Sequence, residues 1–289
     1  EVAPAVELTP VPRNGLVAEY VFSQGSALDT SGSGNDGTNN GATTTADRFG
    51  EVGYAMEFDG SGAIVTEAPG PIGNVARTVS FWAQTSSDAG TDDPHMIYWG
   101  DISALLQGAG EAFRISHKGQ QIVLDVNEGA VGHDANVADG LWHHYVYVLP
   151  QTPDVTVADI RIYQDGTLLP QPFGFSLEVD TVVATTGGRP IHIGGRGDLA
   201  GHEDVVNFTG QLDDIRIYSR AVSEAEISQL FAESLVVSGG TSVGLGLPGS
   251  PDTVTTDAVL LDNASPIQDR STVNGTVTEV TGVEQLGGR

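Results

Sequence analysis

The chain of 289 residues has no cysteine, and Lys118 is its only lysine. The absence of cysteine excludes disulfide bonds, so thiols give no information on the redox compartment. No run of about 18 apolar residues occurs, so the sequence predicts no membrane-spanning helix. The first residue, Glu1, is not an initiator methionine and no signal peptide is visible, so we expect a processed chain or an expressed fragment.

Basic residues are scarce relative to acidic ones. The sequence has 12 Lys and Arg against 38 Asp and Glu, which gives a formal net charge of -26. Such a charge argues against nucleic acids and anionic membrane surfaces as partners, because both are polyanions. It fits a secreted protein, a salty habitat, a surface that collects divalent cations, or simple solubility.

Turn-forming residues are abundant and are spread along the chain. The sequence contains 38 Gly and 14 Pro without a fixed period, which indicates many turns and excludes collagen. Short runs with strand character recur between these turns, and 39% of the residues are hydrophobic, which suffices for a core. This pattern favours an antiparallel sandwich or jelly roll.

One stretch, residues 210–227, predicts a strand followed by a short helix. Ile215 and Ile217 alternate with polar neighbours, as in a strand with one buried face. Ser223 precedes Glu226 by three residues, which is the pattern of a capping box at a helix start. The apolar side of this helix is expected to consist of Ile227, Leu230 and Phe231.

Motifs spread over the first four fifths of the chain resemble, in order, those of laminin G-like, concanavalin A-like jelly-roll domains. The motifs are Leu16–Phe22, Leu28–Thr38, Arg48–Gly50, Ala55–Gly60, Thr78–Ala83, Asp139–Val148, Tyr163–Gly166, Ile191–Arg196 and Gly210–Ala221. The resemblance implies an all-β fold: a two-sheet antiparallel jelly-roll sandwich with one short C-terminal closing helix. It covers about residues 16–235, and with it we expect a mature protein that is secreted or displayed on a cell surface.

The two ends of the chain differ from this central part. Residues 1–15 contain three prolines and are expected to be an extended leader or linker. Residues 236–289 are rich in Gly, Ser, Thr and Val, and we expect a β-rich C-terminal extension. Leu261-Asp262-Asn263 and Val273–Thr276 echo the opening loop, so this extension is either the start of a second repeat or a segment that pairs with another chain.

The resemblance implies a structural calcium ion that ties the opening loop to the last strand. Calcium takes six to eight oxygen ligands, including carboxylates and carbonyls. The residues that would supply carboxylate or amide oxygens are Asp29, Asn35, Asp36, Asp213 and Asp214. The alternative is that these residues form turns and hydrogen bonds, with Arg216, Arg220 or backbone donors compensating the two adjacent carboxylates.

A glycan-binding surface is expected from the fold together with aromatic and polar residues near predicted strand ends. Sugars are usually held by an aromatic platform and a few polar groups. The candidate ligand-binding residues are Trp99, Asp101, His133, Arg196, Asp198 and His202. Ordinary exposed rim residues are the alternative interpretation. Arg196-Gly197-Asp198 also matches an integrin-type tripeptide, which is too short a motif to be specific.

Signals for other chemistry are weak. The seven histidines show no zinc spacing, and adjacent His143 and His144 should point to opposite faces of a strand. Glu57–Asp59 and Glu178–Asp180 do not complete a glycosidase carboxylate pattern, and no Gly-x-Ser-x-Gly motif or phosphate-binding loop occurs. We therefore expect a protein that is not an enzyme.

The leading hypothesis is a secreted, non-catalytic recognition or adhesion module, stabilised by calcium and binding carbohydrate. Its partner would be a glycan or a cell-surface or matrix polysaccharide, with no nucleic acid and no membrane insertion. One alternative is a structural subunit or repeat of an extracellular filament or surface layer that self-associates through its terminal segments. A second alternative is an accessory domain of a polysaccharide-degrading enzyme. Fold analogy alone is a weak basis for choosing among them.

Overall fold

The computed structural model describes residues 11–90, 92–101, 109–170, 174–195 and 206–232, together with two short strands beyond them. Two eight-stranded antiparallel sheets face each other and one helix closes the domain. The predicted all-β jelly-roll sandwich is therefore confirmed. None of the helices in the described residues combines the length and the apolar character needed to cross a membrane.

Sheet A contains eight strands. They are β1 (Leu16–Tyr20), β3 (Thr43–Ala46), β4 (Val52–Asp59), β6 (Arg77–Gln84), β11 (Trp142–Leu149), β12 (Arg161–Gln164), β13 (Thr167–Leu168) and β16 (Thr209–Tyr218). Their order is β13-β12-β11-β6-β16-β4-β3, and β1 also pairs with β16. The first and last strands of the domain are therefore hydrogen-bonded neighbours.

Sheet B contains the other eight strands of the sandwich. They are β2 (Gly37–Asn40), β5 (Ala63–Thr66), β7 (His95–Gly100), β8 (Ala112–Lys118), β9 (Gln121–Asp125), β10 (Ala130–Asp134), β14 (Phe175–Leu177) and β15 (His192–Ile193). Their order is β14-β10-β9-β8-β7-β15-β5-β2. Strands β17 (Val237–Ser238) and β18 (Val259–Leu260) pair with each other. The other residues predicted as the C-terminal extension lie outside the described residues, as do Glu1–Pro10, so the division into leader, domain and extension stays a prediction.

The core lies between the sheets and follows the alternation of the strands. Phe58, Phe81, Tyr145 and Ile215 project into it from sheet A and are almost fully buried. Burial of such side chains contributes about 1.5–3 kcal/mol each to folding. Their sequence neighbours point to the outer face of sheet A, which is the opposite side from sheet B.

The helix α1 (Glu224–Phe231) covers part of this outer face. Its start is the predicted capping box, in which the Ser223 hydroxyl accepts from the Glu226 amide and the Glu226 carboxylate accepts from the Ser223 amide. Ile227 and Leu230 pack in an apolar cluster with residues of β11 and β16. The Phe231 ring stacks on Trp82 at a centroid distance of 5.8 Å, so Trp82 packs beneath the helix.

Candidate functional site

The outer face of sheet A carries an open cleft of about 510 Å³ at one end of the strands β4, β6 and β16. This volume lies within the range of small-ligand sites in proteins. Eight of the eleven lining residues carry hydroxyl, amide or carboxylate side chains. The lining residues are Glu57, Phe58, Asp59, Gln84, Thr85, Ser86, Ser87, Gly140, Thr209, Gly210 and Gln211.

Strand alternation explains why the cleft is polar. Phe58 is buried in the core, so Glu57 and Asp59 on either side of it project outward from β4. Gln211 lies opposite Glu57 and also opposite Gln84 of β6 in the sheet register. Directly opposite residues of paired strands share a face, so these three side chains lie side by side across three strands.

Hydrogen bonds to the backbone fix the walls of the cleft. The Thr85 hydroxyl donates to the Thr209 carbonyl at 2.7 Å, and Gln84 Nε2 donates to the Gly140 carbonyl at 2.7 Å. A Cβ at Gly210 would lie 2.5 Å from the Gln84 carbonyl oxygen, so the strands approach too closely there for any other residue. These contacts join the end of β6 to β16 and to the turn at Gly140 around the cleft.

The two carboxylates give the cleft a negative charge. Asp59 accepts hydrogen bonds from the hydroxyl and the amide of Ser61, and these bonds hold its pKa below its ordinary value. Both Glu57 and Asp59 are exposed. A set of carboxylates, amides and hydroxyls can accept and donate several hydrogen bonds at once, which suits a neutral polyhydroxylated ligand.

The predicted aromatic platform, Trp99, is not on a rim. It is fully buried in the core, its ring lies 4.7 Å from that of Phe113, and its Nε1 donates to the Pro71 carbonyl at 3.0 Å. The expectation that Trp99 offers an exposed surface to a sugar is corrected. The reason is that β7 is buried on both faces, so alternation does not reveal which side faces solvent.

The candidate ligand residues His133 and Asp101 do not line the cleft. His133 is also buried, and its Nδ1 lies 3.2 Å from the Pro170 carbonyl, so its expected rim position is corrected. Burial lowers the pKa of His133. Asp101 is half-buried at the end of β7, where its backbone bonds to Glu111, Thr186 and Asn127. Arg196, Asp198 and His202 lie outside the described residues.

The opening loop is organised by the carboxylate of Asp29. Its oxygens accept hydrogen bonds of 2.9–3.0 Å from the amides of Glu19, Ser31 and Asn35 and from the Ser31 hydroxyl. Burial alone would raise the pKa of Asp29, but these bonds hold it below its ordinary value. The Asp36 carboxylate accepts from the Asp29 amide at 2.9 Å. These contacts are the turn-forming bonds of the alternative interpretation.

Asn35 contributes to the same loop in a different way. Its side-chain amide donates to the Ala68 carbonyl at 3.1 Å, and its side-chain oxygen accepts from the Ala68 amide at 2.7 Å. This two-bond pairing ties the opening loop to the segment after β5. The side chain of Asn35 is therefore used in joining two parts of the backbone.

Asp213 and Asp214 are fully buried on β16 and contact arginine side chains. Arg48 Nη1 lies 3.0 Å from Asp213 Oδ2 and 2.5 Å from Asp214 Oδ2, and Arg216 Nη2 lies 3.4 Å from Asp214 Oδ1. The Asp214 amide also donates to Asp213 Oδ1 at 2.7 Å. The Arg48 guanidinium therefore occupies the position beside the last strand at which the resemblance implied a metal ion.

The five predicted metal ligands do not form one ligand set in the described arrangement. Within the described ranges, no group of three or more His, Cys, Asp or Glu side chains has a geometry that could hold a metal ion. The arginine side chains that contact Asp213 and Asp214 are cationic and would repel calcium. The residues therefore do not fit a calcium ion shared by the loop and the strand, and calcium in the opening loop itself stays a prediction.

Sequence reasoning noted the pair Glu57–Asp59 only as an incomplete glycosidase pattern and missed the cleft around it. The alternation of β4 was the available signal for two outward carboxylates. The contribution of Gln84 and Gln211 depends on which strands are neighbours, and that is a property of the tertiary structure. Sheet B has an aromatic cluster in which the rings of Tyr98 and His192 stack at a centroid distance of 4.6 Å. Both residues are buried, so this cluster, unlike the cleft, is not open to a ligand.

Comparisons with solved structures give the same architecture. Domain 4 of AbnA, an extracellular arabinanase from Geobacillus stearothermophilus in complex with arabinotriose, matches with a TM-score of 0.53 and 17% identity over 74% of this chain and 97% of that chain. The binding domain of Paraclostridial Mosquitocidal Protein 1 matches with a TM-score of 0.55 and 15% identity over 76% of this chain and 52% of that one. The TM-scores show a common fold, and at such low identities the matches show the fold alone.

Further matches are receptor-binding parts of toxins. A botulinum neurotoxin type C structure, described as depending on two ganglioside molecules for cell entry, matches with a TM-score of 0.54 and 12% identity over 78% of this chain and 53% of that chain. The chain thus spans about half the length of the toxin domains that it matches. No curated protein matches the chain.

The family comparison covers the middle of the sandwich. The family model described as the concanavalin A-like lectin/glucanases superfamily matches residues 58–228, which is more than half of the chain. The match includes the outward carboxylate of Asp59, the strands β6 and β16 and the start of the closing helix. The chain belongs to the concanavalin A-like lectin/glucanases superfamily.

Proposed function

We propose that this domain is a non-catalytic carbohydrate-binding module whose ligand lies in the cleft of sheet A. The observation that carries the proposal is the open cleft of about 510 Å³, most of whose lining residues have hydroxyl, amide or carboxylate side chains. Such groups match the hydroxyls of a sugar, each of which both donates and accepts. The structural neighbour in complex with arabinotriose, a neutral oligosaccharide, supports a neutral glycan as the ligand class.

The charge of the cleft selects among glycans. Glu57 and Asp59 line it, and the whole chain has a formal net charge of -26. Like charges repel, so sulfated, uronic or sialylated chains are disfavoured as ligands. The proposed ligand is a neutral oligosaccharide that hydrogen-bonds Gln84 and Gln211. Leu141, which follows the lining residue Gly140 in the chain, is an exposed apolar side chain.

Secretion and an adhesive role are part of the same proposal. The neighbour from Geobacillus is part of an extracellular enzyme, which supports a place outside the cell. An accessory domain that keeps an enzyme on its polysaccharide would need the same cleft, so the binding proposal covers that alternative as well. We expect the domain to show no activity in a reducing-sugar assay.

The test is glycan binding by wild type and cleft variants. A panel of neutral oligosaccharides, including arabino-oligosaccharides, is screened, and positive ligands are measured by isothermal titration calorimetry. We expect the Glu57→Ala/Gln211→Ala variant to lose at least about tenfold in affinity, because several hydrogen bonds are removed. Gln120→Ala, an exposed glutamine on the β8–β9 turn, is the matched control and should bind as wild type.

Two results would contradict the proposal. Unchanged affinity of a folded Glu57→Ala/Gln211→Ala variant would place the sugar elsewhere on the domain. Preference for anionic over neutral glycans would contradict the role given to the two carboxylates. Circular dichroism of each variant establishes that a lost affinity comes from the cleft and not from unfolding.

A further inference from the structure

The two adjacent carboxylates of β16 point to the same side of the sheet, which a regular strand does not allow. Consecutive residues of a strand face opposite sides. Here Asp213 pairs with Trp82 and Arg216 pairs with Ser80, so three residues of β16 advance while two residues of β6 do. The extra residue is a β-bulge, and Asp214 has a left-handed φ of 47°.

The bulge holds Asp214 in a strained backbone conformation and brings both carboxylates to one arginine. A non-glycine residue with positive φ is uncommon and persists where its surroundings hold it in place. In this position the carboxylates of Asp213 and Asp214 both reach Arg48 Nη1, within 3.0 Å and 2.5 Å. Both aspartates are completely buried. Two such charges would repel each other strongly without a cation between them.

Contacts other than those with Asp213 and Asp214 also hold Arg48 in place. It lies in the turn between β3 and β4, where the Asp47 carboxylate accepts from the amides of Phe49 and Glu51 at 2.9 Å. Its guanidinium lies over the Phe49 ring at 4.4 Å and over the Trp82 ring at 4.5 Å. Its side chain is only 2% exposed. The cation is thus positioned between two aromatic rings, facing the carboxylates.

We propose that Arg48 is a built-in replacement for a structural cation at the Asp213–Asp214 pair. The guanidinium supplies the positive charge and the donors that the two buried carboxylates need, so the last strand requires no divalent ion there. The stability contributed by this pair is then independent of calcium. Removing the Arg48 side chain would take one cation away from the two carboxylates, keep the Arg216 contact to Asp214, and open a space that a divalent ion can enter.

The experiment compares melting temperatures in calcium chloride and in a chelator for wild type and variants. In wild type, we expect that Asp213 and Asp214 contribute nothing to any difference in melting temperature between calcium and chelator. Arg48→Ala should melt at least about 5 °C lower in chelator, and calcium should recover part of that loss. Arg161→Ala, which removes an exposed arginine of β12, is the matched control and should behave as wild type.

A second variant keeps the test decisive if Arg48→Ala does not fold. Arg48→Met/Asp213→Asn/Asp214→Asn removes the cation and both anions together, and it should be more stable than Arg48→Met alone, because a complete replacement leaves no unpaired charge. If chelation destabilises wild type and this triple variant equally, the ion lies elsewhere and the inference stands. A chelator effect in wild type that the triple variant lacks overturns it. So does an Arg48→Ala variant as stable as Arg161→Ala.

Discussion

Glu19 of the first strand and Arg216 of the last strand stand opposite each other and form a buried ion pair, with Glu19 Oε1 2.9 Å from Arg216 Nε. Arg13 also contacts Glu19, at 2.6 Å from Oε2. The Arg216 side chain continues to Asp214, so the pair joins the start of the domain to the bulge. The two ends of the chain segment 13–216 are thereby locked together by charge as well as by backbone pairing.

Replacing Glu19 should make the domain less stable and less sensitive to acid. Burial alone would raise the pKa of Glu19, but Arg216 and its hydrogen bond lower it below the ordinary value. A depressed carboxyl pKa contributes stability that is present above the unfolded value of about 4.3 and is lost as pH falls through the folded value. Glu19→Gln should therefore cost about 3–5 kcal/mol at pH 7, because Arg216 loses its buried partner.

Urea unfolding of wild type and Glu19→Gln between pH 7 and pH 3 measures this effect. The stability difference should shrink toward acid pH, because wild type loses the ion-pair contribution there. A difference that stays constant over this range would show that the glutamate acts through packing alone.

His143 should stabilise the domain more in its protonated form. Its Nδ1 lies 2.7 Å from Asp165 and its Nε2 lies 3.1 Å from Asp139, so both ring nitrogens face carboxylates. Burial alone would lower the pKa of His143, but the hydrogen bonds to Asp165 and Asp139 raise it. Only the protonated ring can donate to both. This contribution is complete below about pH 6.5 and is lost as pH rises through the folded pKa.

The measurement is the stability of wild type minus that of His143→Gln at pH 5.5 and at pH 8.5. We expect the larger difference at the lower pH. The buried histidines His117, His133 and His144 have lowered pKa values and the opposite pH dependence, but they are present in both proteins and cancel in the difference. An equal difference at both pH values would contradict the prediction.

Trp99 should matter for folding and not for binding. It is fully buried against Phe113, and its Nε1 donates to Pro71. Trp99→Ala should cost about 3–5 kcal/mol through lost burial and a cavity, as measured by urea unfolding. Trp99→Phe keeps a ring there and should retain the wild-type sugar affinity. A Trp99→Phe variant that is folded but does not bind would restore the idea of a stacking platform at this residue.

Asp29 tests whether calcium acts at the opening loop. Asp29→Ala removes four accepted hydrogen bonds and should cost about 2–4 kcal/mol of unfolding free energy. The calcium prediction for this loop expects that calcium raises the melting temperature of wild type and that Asp29→Ala abolishes the rise. Equal melting temperatures of wild type in calcium and in chelator would contradict it. Asp180→Ala, which replaces an exposed aspartate of another loop, is the matched control.

The sequence alone determined those features that depend on residues close together in the chain. The alternation around Ile215 and Ile217 and the Ser223–Glu226 capping box appear where expected, and the motif Tyr163–Gly166 contains the tight turn at Asp165-Gly166. Each of them is set by local geometry: the two-residue repeat of a strand, the donors left open at a helix start, and the left-handed φ of a tight turn. The ordered motifs therefore sufficed to predict the fold and the family.

Only the tertiary structure decided which side chains meet. A strand buried on both faces does not show which of Tyr98 and Trp99 faces the core, and adjacent aspartates reveal a shared partner only once a bulge places them on one side. The contact of Arg48 with Asp214 joins residues 166 positions apart. The cleft likewise needs β4, β6 and β16 to be neighbours. Such relationships depend on sheet order and register, because the physical forces that select them act through space and not along the chain.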